Sequence, residues 1–144
     1  MRLDDGHSTK ISFEANANVA FWEKEVTPPG VDGGGANDVT NMRNTEWRTM
    51  SPKKLKTMTE GGATVSYDPA TITGDVVAMV NVNQRVTWTF ADGSALTIWG
   101  WLNQFKPGQS KEGEAPTASV QILASNHDNA NPPNEVGPSF VEAA

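Results

Sequence analysis

The side chains of this chain that could act as general acids or bases near neutral pH are its two histidines, His7 and His127. Nucleophilic catalysis needs such a base held beside a serine and oriented by a carboxylate on rigid elements. Both histidines lie in segments that we expect to be terminal arms, so no Ser-His-acid arrangement can be built on a rigid scaffold. The sequence therefore predicts a protein that is not an enzyme.

Metal and phosphate sites are the next kinds of chemistry to consider. The run Asn126-His127-Asp128-Asn129 and the pair Asp32 and Asp38 offer possible ligands, but neither has the spacing of a calcium loop. The glycines at 33–35 lack the strand-then-helix context and the Gly-Lys-Ser/Thr sequence of a phosphate loop. Without cysteine, the chain has no disulfide and no thiolate metal site. We interpret these segments as polar loops and predict no cofactor and no metal.

Size and composition favour one β-rich domain. The 144 residues are enough for a core, yet the hydrophobic share is only 37%, and glycine and proline are frequent. The net charge of -6 argues against bulk attraction to nucleic acid. No apolar run approaches the ~20 residues of a membrane helix, and the N-terminus lacks the apolar core of a signal peptide. We expect a soluble protein made in the cytoplasm.

The strongest local signal is a hairpin around Ala91-Asp92-Gly93, which two alternating runs flank. A two-residue loop would set Trp88 opposite Thr97 and mix polar with apolar side chains. A three-residue loop with Gly93 in the left-handed conformation sets Trp88 opposite Leu96. Only this second register sorts the side chains onto one apolar and one mixed face, so we predict it.

The mixed face of the second hairpin strand carries an aromatic stripe. Trp99 and Trp101 could stack on sugar rings, could lie under a helix, or could form an interface between subunits. The stripe consists of Thr97, Trp99, Trp101, Asn103 and Phe105.

One helix is predicted over 69–81. Asp68 can cap its first amides, and Pro69 has the φ angle that a first helical turn needs. Ile72, Val76 and Val80 then follow at helical spacing. Gly74 and the β-branched residues weaken it in isolation, so its stability must come from packing onto a sheet.

The remaining pattern predicts strands and loops in a three-part chain. Residues 1–10 are an N-terminal arm, 11–126 the β domain and 127–144 a polar C-terminal extension. Residues 125–144 would be disordered alone, and a neighbouring subunit is the simplest surface for an ordered tail. The strands are one or two over 11–26, an extended segment over 40–57 with Trp47 at its middle, and strands at 53–59, 63–67 and 117–124, with a flexible loop at 30–38 and a break at Gly61-Gly62.

Basic side chains concentrate between residues 43 and 56, where Glu46 is the single acid. They could meet phosphates or form a solvated face. The interpretation that we prefer is a homo-oligomer in which this segment meets an acidic loop of the next copy, such as Glu112-Gly113-Glu114. The basic residues are Arg43, Arg48, Lys53, Lys54 and Lys56.

The order of these signals over roughly residues 11–126 resembles the major tail proteins, or tail tube proteins, of long-tailed bacteriophages. No single motif is specific, and the resemblance lies in their order. The motifs are Asn41-Met42-Arg43-Asn44-Thr45-Glu46-Trp47-Arg48-Thr49, Lys54-Leu55-Lys56-Thr57, Tyr67-Asp68-Pro69, the Asp92-Gly93 hairpin, Trp99-Gly100-Trp101-Leu102, Phe105-Lys106-Pro107-Gly108 and Glu112-Gly113-Glu114-Ala115-Pro116-Thr117-Ala118.

The resemblance implies a mainly β tail-tube fold, a β-sandwich or small barrel of two packed sheets with a flanking helix. It also implies hexameric rings whose strands join into an inner barrel, stacked into a virion tail tube for DNA ejection. Long loops and terminal arms would reach the neighbouring ring. No chemistry, cofactor or membrane is involved; the partners are further copies, other tail proteins and passing DNA, which an acidic lumen would repel.

This interpretation makes nine residues candidates for assembly. Two other classes stay open: a carbohydrate-binding β-sandwich that uses the two stripe tryptophans, and a capsid decoration or tail terminator protein. The assembly candidates are Trp99, Trp101, Lys54, Lys56, Arg43, Arg48, Trp47, Glu112 and Glu114.

Overall fold

The computed structural model describes residues 9–15, 21–67, 75–109 and 111–142, and these residues are mainly β with one short helix. The strands are β1 Lys10–Phe13, β2 Glu23–Thr27, β3 Val31–Asp32, β4 Ala36–Asp38, β5 Met50–Pro52, β6 Thr57–Met58, β7 Gly61–Ser66, β8 Gln84–Thr89, β9 Ala95–Pro107, β10 Thr117–Ala124 and β11 Ser139–Val141.

Seven strands form one antiparallel sheet in the order β1-β8-β9-β10-β7-β2, with β11 also paired to β9. The two edge strands approach each other, because the amide of Ile11 in β1 donates to Oε1 of Glu23 in β2 at 3.1 Å. Among the described strands, the sheet does not close into a barrel. The predicted mainly β fold with one helix is confirmed, and its main strands belong to one hydrogen-bonded sheet.

The core lies inside this curved sheet, and Trp88 spans it. A Cβ atom on Gly61 of β7 would stand 2.8 Å from Cζ2 of Trp88, so the indole reaches the backbone of β7 across the core. Gly62 also allows a close approach, since a Cβ there would meet the Val120 carbonyl oxygen at 2.5 Å. The predicted break at these glycines is therefore wrong, because both belong to β7. The core residues are Ile11, Phe13, Phe21, Ala63, Val65, Val76, Met79, Val86, Trp88, Leu96, Ile98, Leu102, Ala118, Val120 and Ile122.

The hairpin between β8 and β9 has the predicted three-residue loop. Trp88 pairs with Leu96, and the hydroxyl oxygens of the opposed Thr87 and Thr97 lie 3.1 Å apart. Gly93 has a φ of 91°, the left-handed value that this loop requires. The register is therefore confirmed.

The helix packs its apolar side into the core. Residues 75–79 are helical in the described part of the chain, with Val76 and Met79 buried and Val77 exposed. Asn81, at φ 66°, ends the helix, and its amide donates to the Leu102 carbonyl at 3.0 Å. The predicted start of the helix at residues 68–74 lies outside the described residues. No described helix has the length and apolar character to cross a membrane.

Residues 31–58, here called the arm, leave the sheet as a long antiparallel ribbon between β2 and β7. Strand β3 pairs with β6, and β4 pairs with β5. The predicted flexible loop at 30–38 is wrong, since β3 and β4 lie within it. The predicted strand at 53–59 forms only at Thr57–Met58. No arm side chain is fully buried, and Met58 at its base is the arm residue that packs against the core, so cross-strand backbone pairing holds most of this ribbon together.

Residues 125–142, here called the C-terminal segment, fold back onto the same chain. The segment leaves β10 through Asn126, which has a φ of 57°, and the Val136 amide returns to the Asn126 carbonyl at 2.9 Å. Asn129 bonds to Asn83, and β11 then pairs with the first residues of β9. The predicted strand at 117–124 is confirmed as β10. Strand β11 follows it along the chain and pairs with the same edge of β9.

Acid is expected to loosen the loop of the C-terminal segment. The carboxylate of Asp128 accepts the backbone amides of Asn134 at 2.9 Å and Ala130 at 3.1 Å, and these bonds lower its pKa. Because the folded-state pKa is depressed, the stabilisation is present above the unfolded value of about 3.9 and is lost as pH falls through the folded pKa. NMR titration of the Asp128 carboxyl should show this lowered pKa. Asp128→Asn should remove the pH dependence of the loop amides, and an Asp128 that titrates at its ordinary pKa would contradict the expectation.

Candidate assembly surface

The tryptophan stripe lies on the face of β9 that points away from the core. Leu96, Ile98 and Leu102 alternate with it and are buried, and the helix packs on their side. Trp99 and Trp101 are half-buried on the opposite face. The interpretation that the stripe lies under the helix is therefore wrong, since side chains alternate across a strand.

The stripe is also shorter than predicted, because a β-bulge interrupts it. Gln121 pairs with Gln104 and Ile122 pairs with Leu102, so Asn103 is an extra residue in β9. Beyond the bulge, Phe105 sits opposite Val120 and packs against the core, with its ring stacked on that of Phe21 at 6.1 Å. Phe105 is thus a half-buried residue packed against the core and is not part of the outer stripe, in contrast to the prediction.

Side chains of the same face partly cover the two tryptophans. The Arg85 guanidinium carbon lies 5.9 Å from the centre of the Trp99 ring, and Trp101 sits opposite Leu123. Arg85 also forms a salt bridge with Glu14 and, by hydrogen bonding to it, holds the pKa of that carboxyl below its usual value. The neighbours of the two tryptophans are therefore charged as well as apolar.

The tip of the arm is a compact turn that presents apolar side chains to solvent. The Asn44 amide donates to the Asn41 carbonyl at 3.1 Å, and the Asn44 side chain bonds to the Trp47 carbonyl at 2.9 Å. Met42 is fully exposed and Trp47 is 80% exposed. The predicted extended segment at 40–57 is wrong here, since asparagine side chains close the backbone into a turn at 41–47.

The arm differs in charge from the rest of the protein. Residues 31–58 contain five basic and three acidic side chains, whereas the rest of the chain contains six basic and fourteen acidic ones. Within the arm, Arg48 bridges to Asp38 at 3.0 Å. Hydrogen bonds from Thr40, and then from Arg48, lower the pKa of Asp38, so this carboxylate remains charged. A basic ribbon therefore projects from an acidic body.

The nine assembly candidates fall on three separate surfaces. Five lie on the arm and are exposed, with Lys54 and Lys56 in the irregular stretch between β5 and β6. Trp99 and Trp101 lie on the outer face of β9, and Glu112 and Glu114 lie in the exposed loop between β9 and β10. The arm brings together Arg43, Trp47, Arg48, Lys54 and Lys56.

The sequence pattern does not predict the exposed apolar strand β11. In β11, Phe140 is 67% and Val141 is 56% exposed. The signal was the short run Ser139-Phe140-Val141 after Pro138, which is too short to predict a strand from its pattern. No group of three or more potential metal ligands occurs among the described residues.

Comparisons with known proteins identify the fold. No family model matches the sequence, and no curated protein matches it. Among solved structures, the chain is similar to one from the virion of a native gene transfer agent particle, with a TM-score of 0.68, 10% identity, and coverage of 97% of this chain and 100% of that one. It is also similar to a chain of the anti-feeding prophage baseplate in a six-fold symmetrised structure, with a TM-score of 0.62, 9% identity, and coverage of 99% of both chains. At these identities, the likeness shows that the fold is shared along the whole chain.

Proposed function

We propose that this chain is a virion structural protein, the major subunit of a bacteriophage tail tube, which assembles as stacked hexameric rings into a conduit for DNA. The whole-chain likeness to components of a gene transfer agent virion and of a six-fold symmetrised prophage baseplate supports the structural role. The order of motifs over residues 11–126 supports the tube subunit in particular.

The observation that carries the proposal is the arm. A monomeric protein has little use for a projecting ribbon that buries none of its own side chains and still presents Met42, Trp47 and Leu55 to water. The arm is basic while the body is acidic, so identical copies attract each other in a head-to-tail manner. Such heterologous contacts build rings or open stacks, which are the geometries of a tube.

The acidic body fits a conduit for DNA. With fourteen acidic side chains against six basic ones outside the arm, most of the protein surface repels phosphate. A nucleic acid that moves through a tube must not bind its wall, because each neutralised phosphate adds affinity through counterion release. In this proposal, the cations of the arm form contacts between copies.

Electron microscopy with mass measurement tests the proposal. We expect the purified 15.5 kDa chain to form rings or hollow tubes as its concentration rises. A chain that stays monomeric at all concentrations, and whose tryptophan fluorescence changes on adding glycans, would instead support a carbohydrate-binding protein. Closed shells or single caps without tubes would support a decoration or terminator protein.

Reversing two arm charges should weaken assembly. In Lys54→Glu/Lys56→Glu, attraction to the acidic body of the next copy becomes repulsion. Exposed ion pairs contribute about 0.2–1 kcal/mol each, so the critical concentration should rise roughly tenfold. The difference should be largest at low salt, where screening is weakest. Light scattering against protein concentration measures it, with Lys10→Glu/Lys106→Glu outside the arm as a matched control. Equal critical concentrations for both variants would contradict the role of the arm charges.

A further inference from the structure

Strand β11 forms an open edge of the main sheet. It pairs with Ala95–Thr97 of β9, and no other described strand pairs with its outward side. Its three residues are all exposed, and they include Phe140 and Val141. An exposed edge with apolar side chains is a template on which another extended segment can add.

The segment that carries β11 is acidic. The chain has no lysine or arginine after Lys111, and the C-terminal segment carries Asp128, Glu135 and Glu142. Its loop is held in place, because Asp128 accepts two backbone amides and Asn129 is bonded to Asn83. Residues 125–142 therefore combine a strand edge, apolar side chains and negative charge in one segment.

The other acidic surfaces of the described chain fit an apolar and basic partner less well. Edge strand β2 carries Glu23 and Glu25 next to the exposed Trp22, but Lys24 lies between the two acids and Glu23 already accepts the amide of Ile11 in β1. The loop with Glu112 and Glu114 also contains Lys111 and exposes no large apolar side chain. Glu60 accepts the side-chain amide of Gln121 at 2.5 Å and adjoins the glycines of β7, which offer no apolar side chain. The C-terminal segment is thus the acidic surface best matched to an apolar and basic partner.

The second half of the arm has the complementary features. Residues 48–56 contain Arg48, Lys53, Lys54 and Lys56, and they expose Met50 and Leu55, the latter to 82%. Strand β5 within this half pairs with β4 on one side, and no described strand pairs with its other side. Basic charge, apolar side chains and an available strand edge therefore occur together on this half of the arm.

We propose that residues 48–56 of one copy dock along β11 and the C-terminal segment of a second copy. The docked segment extends the sheet of the second copy, Met50 and Leu55 cover Phe140 and Val141, and the arm cations face Glu135 and Glu142. This inference rests on the proposed function and names the surface that receives the arm. It replaces the loop with Glu112 and Glu114 as the receiving surface.

Engineered cysteines test the contact, because the chain has no cysteine of its own. A Leu55→Cys chain is mixed with a Phe140→Cys chain, assembled and oxidised, and disulfide-linked dimers are counted on a non-reducing gel. The matched control mixes Leu55→Cys with Glu112→Cys. We expect dimers in the first mixture and few in the control. Dimers in the control alone, or assembled tubes with dimers in neither mixture, would overturn the docking proposal and leave the tube function standing.

A charge exchange covers the case in which the cysteine variants do not assemble. Lys54→Glu/Lys56→Glu should raise the critical concentration for assembly, and adding Glu135→Lys/Glu142→Lys in the same chain should restore it to the value of the unmodified chain. Restoration by Glu112→Lys/Glu114→Lys instead would overturn the proposal in favour of that loop. If the unmodified chain itself never forms rings or tubes, the proposed function fails, and this contact fails with it.

Discussion

Trp88→Ala should be the most destabilising single substitution in this protein, with a loss of about 3–5 kcal/mol in the free energy of unfolding. Trp88 is fully buried, and its ring reaches from β8 to the backbone of Gly61 in β7. Its removal leaves a cavity between the two sides of the curved sheet. Thermal denaturation should show a fall in Tm of roughly 10–20 °C.

A double-mutant cycle separates this contact from a general loss of apolar volume. Gly61→Ala alone should destabilise, since its Cβ would lie 2.8 Å from the Trp88 ring. In the Trp88→Ala background the same change should cost less, because one of the clashing groups is gone and the new methyl fills part of the cavity. Pro29 also adjoins this position, so some cost should remain. Strictly additive effects would contradict the contact across the core.

The hairpin was predictable because all the information for it is local. The side-chain alternation of β8 and β9 and the left-handed preference of Gly93 fix loop length and register together. Strand β10 was predictable for a similar reason, since its alternation is uninterrupted over Thr117–Ala124. In both cases the pattern of one short segment decides the structure.

Other features depend on contacts between distant residues, which a single sequence does not display. The bulge at Asn103 reverses the side-chain parity of β9 and turns Phe105 toward the core, yet it arises from pairing with β10. In the sequence, Gly61 and Gly62 suggest a break between strands. In the structure, they allow β7 to approach Trp88 and Val120 closely. The pattern could not show these partners.

The candidate site was predictable in composition but not in arrangement. The basic residues between 43 and 56 indicated a surface for another copy, and the structure adds that they project on a ribbon separate from the core. Strand β11 was hidden in a polar tail because three residues carry too little periodicity. The proposed receiving surface of the arm therefore needed the structure, while the arm charge needed only the sequence.

Shortening the arm should abolish assembly and leave the fold intact. Asp32 and Thr57 are directly opposed at the base of the arm, so Asn-Gly in place of residues 33–56 can close the ribbon as a two-residue hairpin. No side chain in the deleted stretch is buried, and the shorter loop costs less closure entropy, so Tm should change by only about 3 °C.

Unlike the fold, assembly should be lost when the arm is shortened. The variant lacks Met42, Trp47 and Leu55 together with the whole basic cluster, so it lacks the side chains of both the proposed apolar and the proposed charged attraction between copies. We expect a folded monomer by analytical ultracentrifugation at concentrations where the full chain forms tubes. In the chain with the full arm, Met42→Ser/Trp47→Ser should weaken assembly to an intermediate degree, since the arm cations remain. Tubes of normal length from the shortened chain would show that copies join through the sheet and not through the arm.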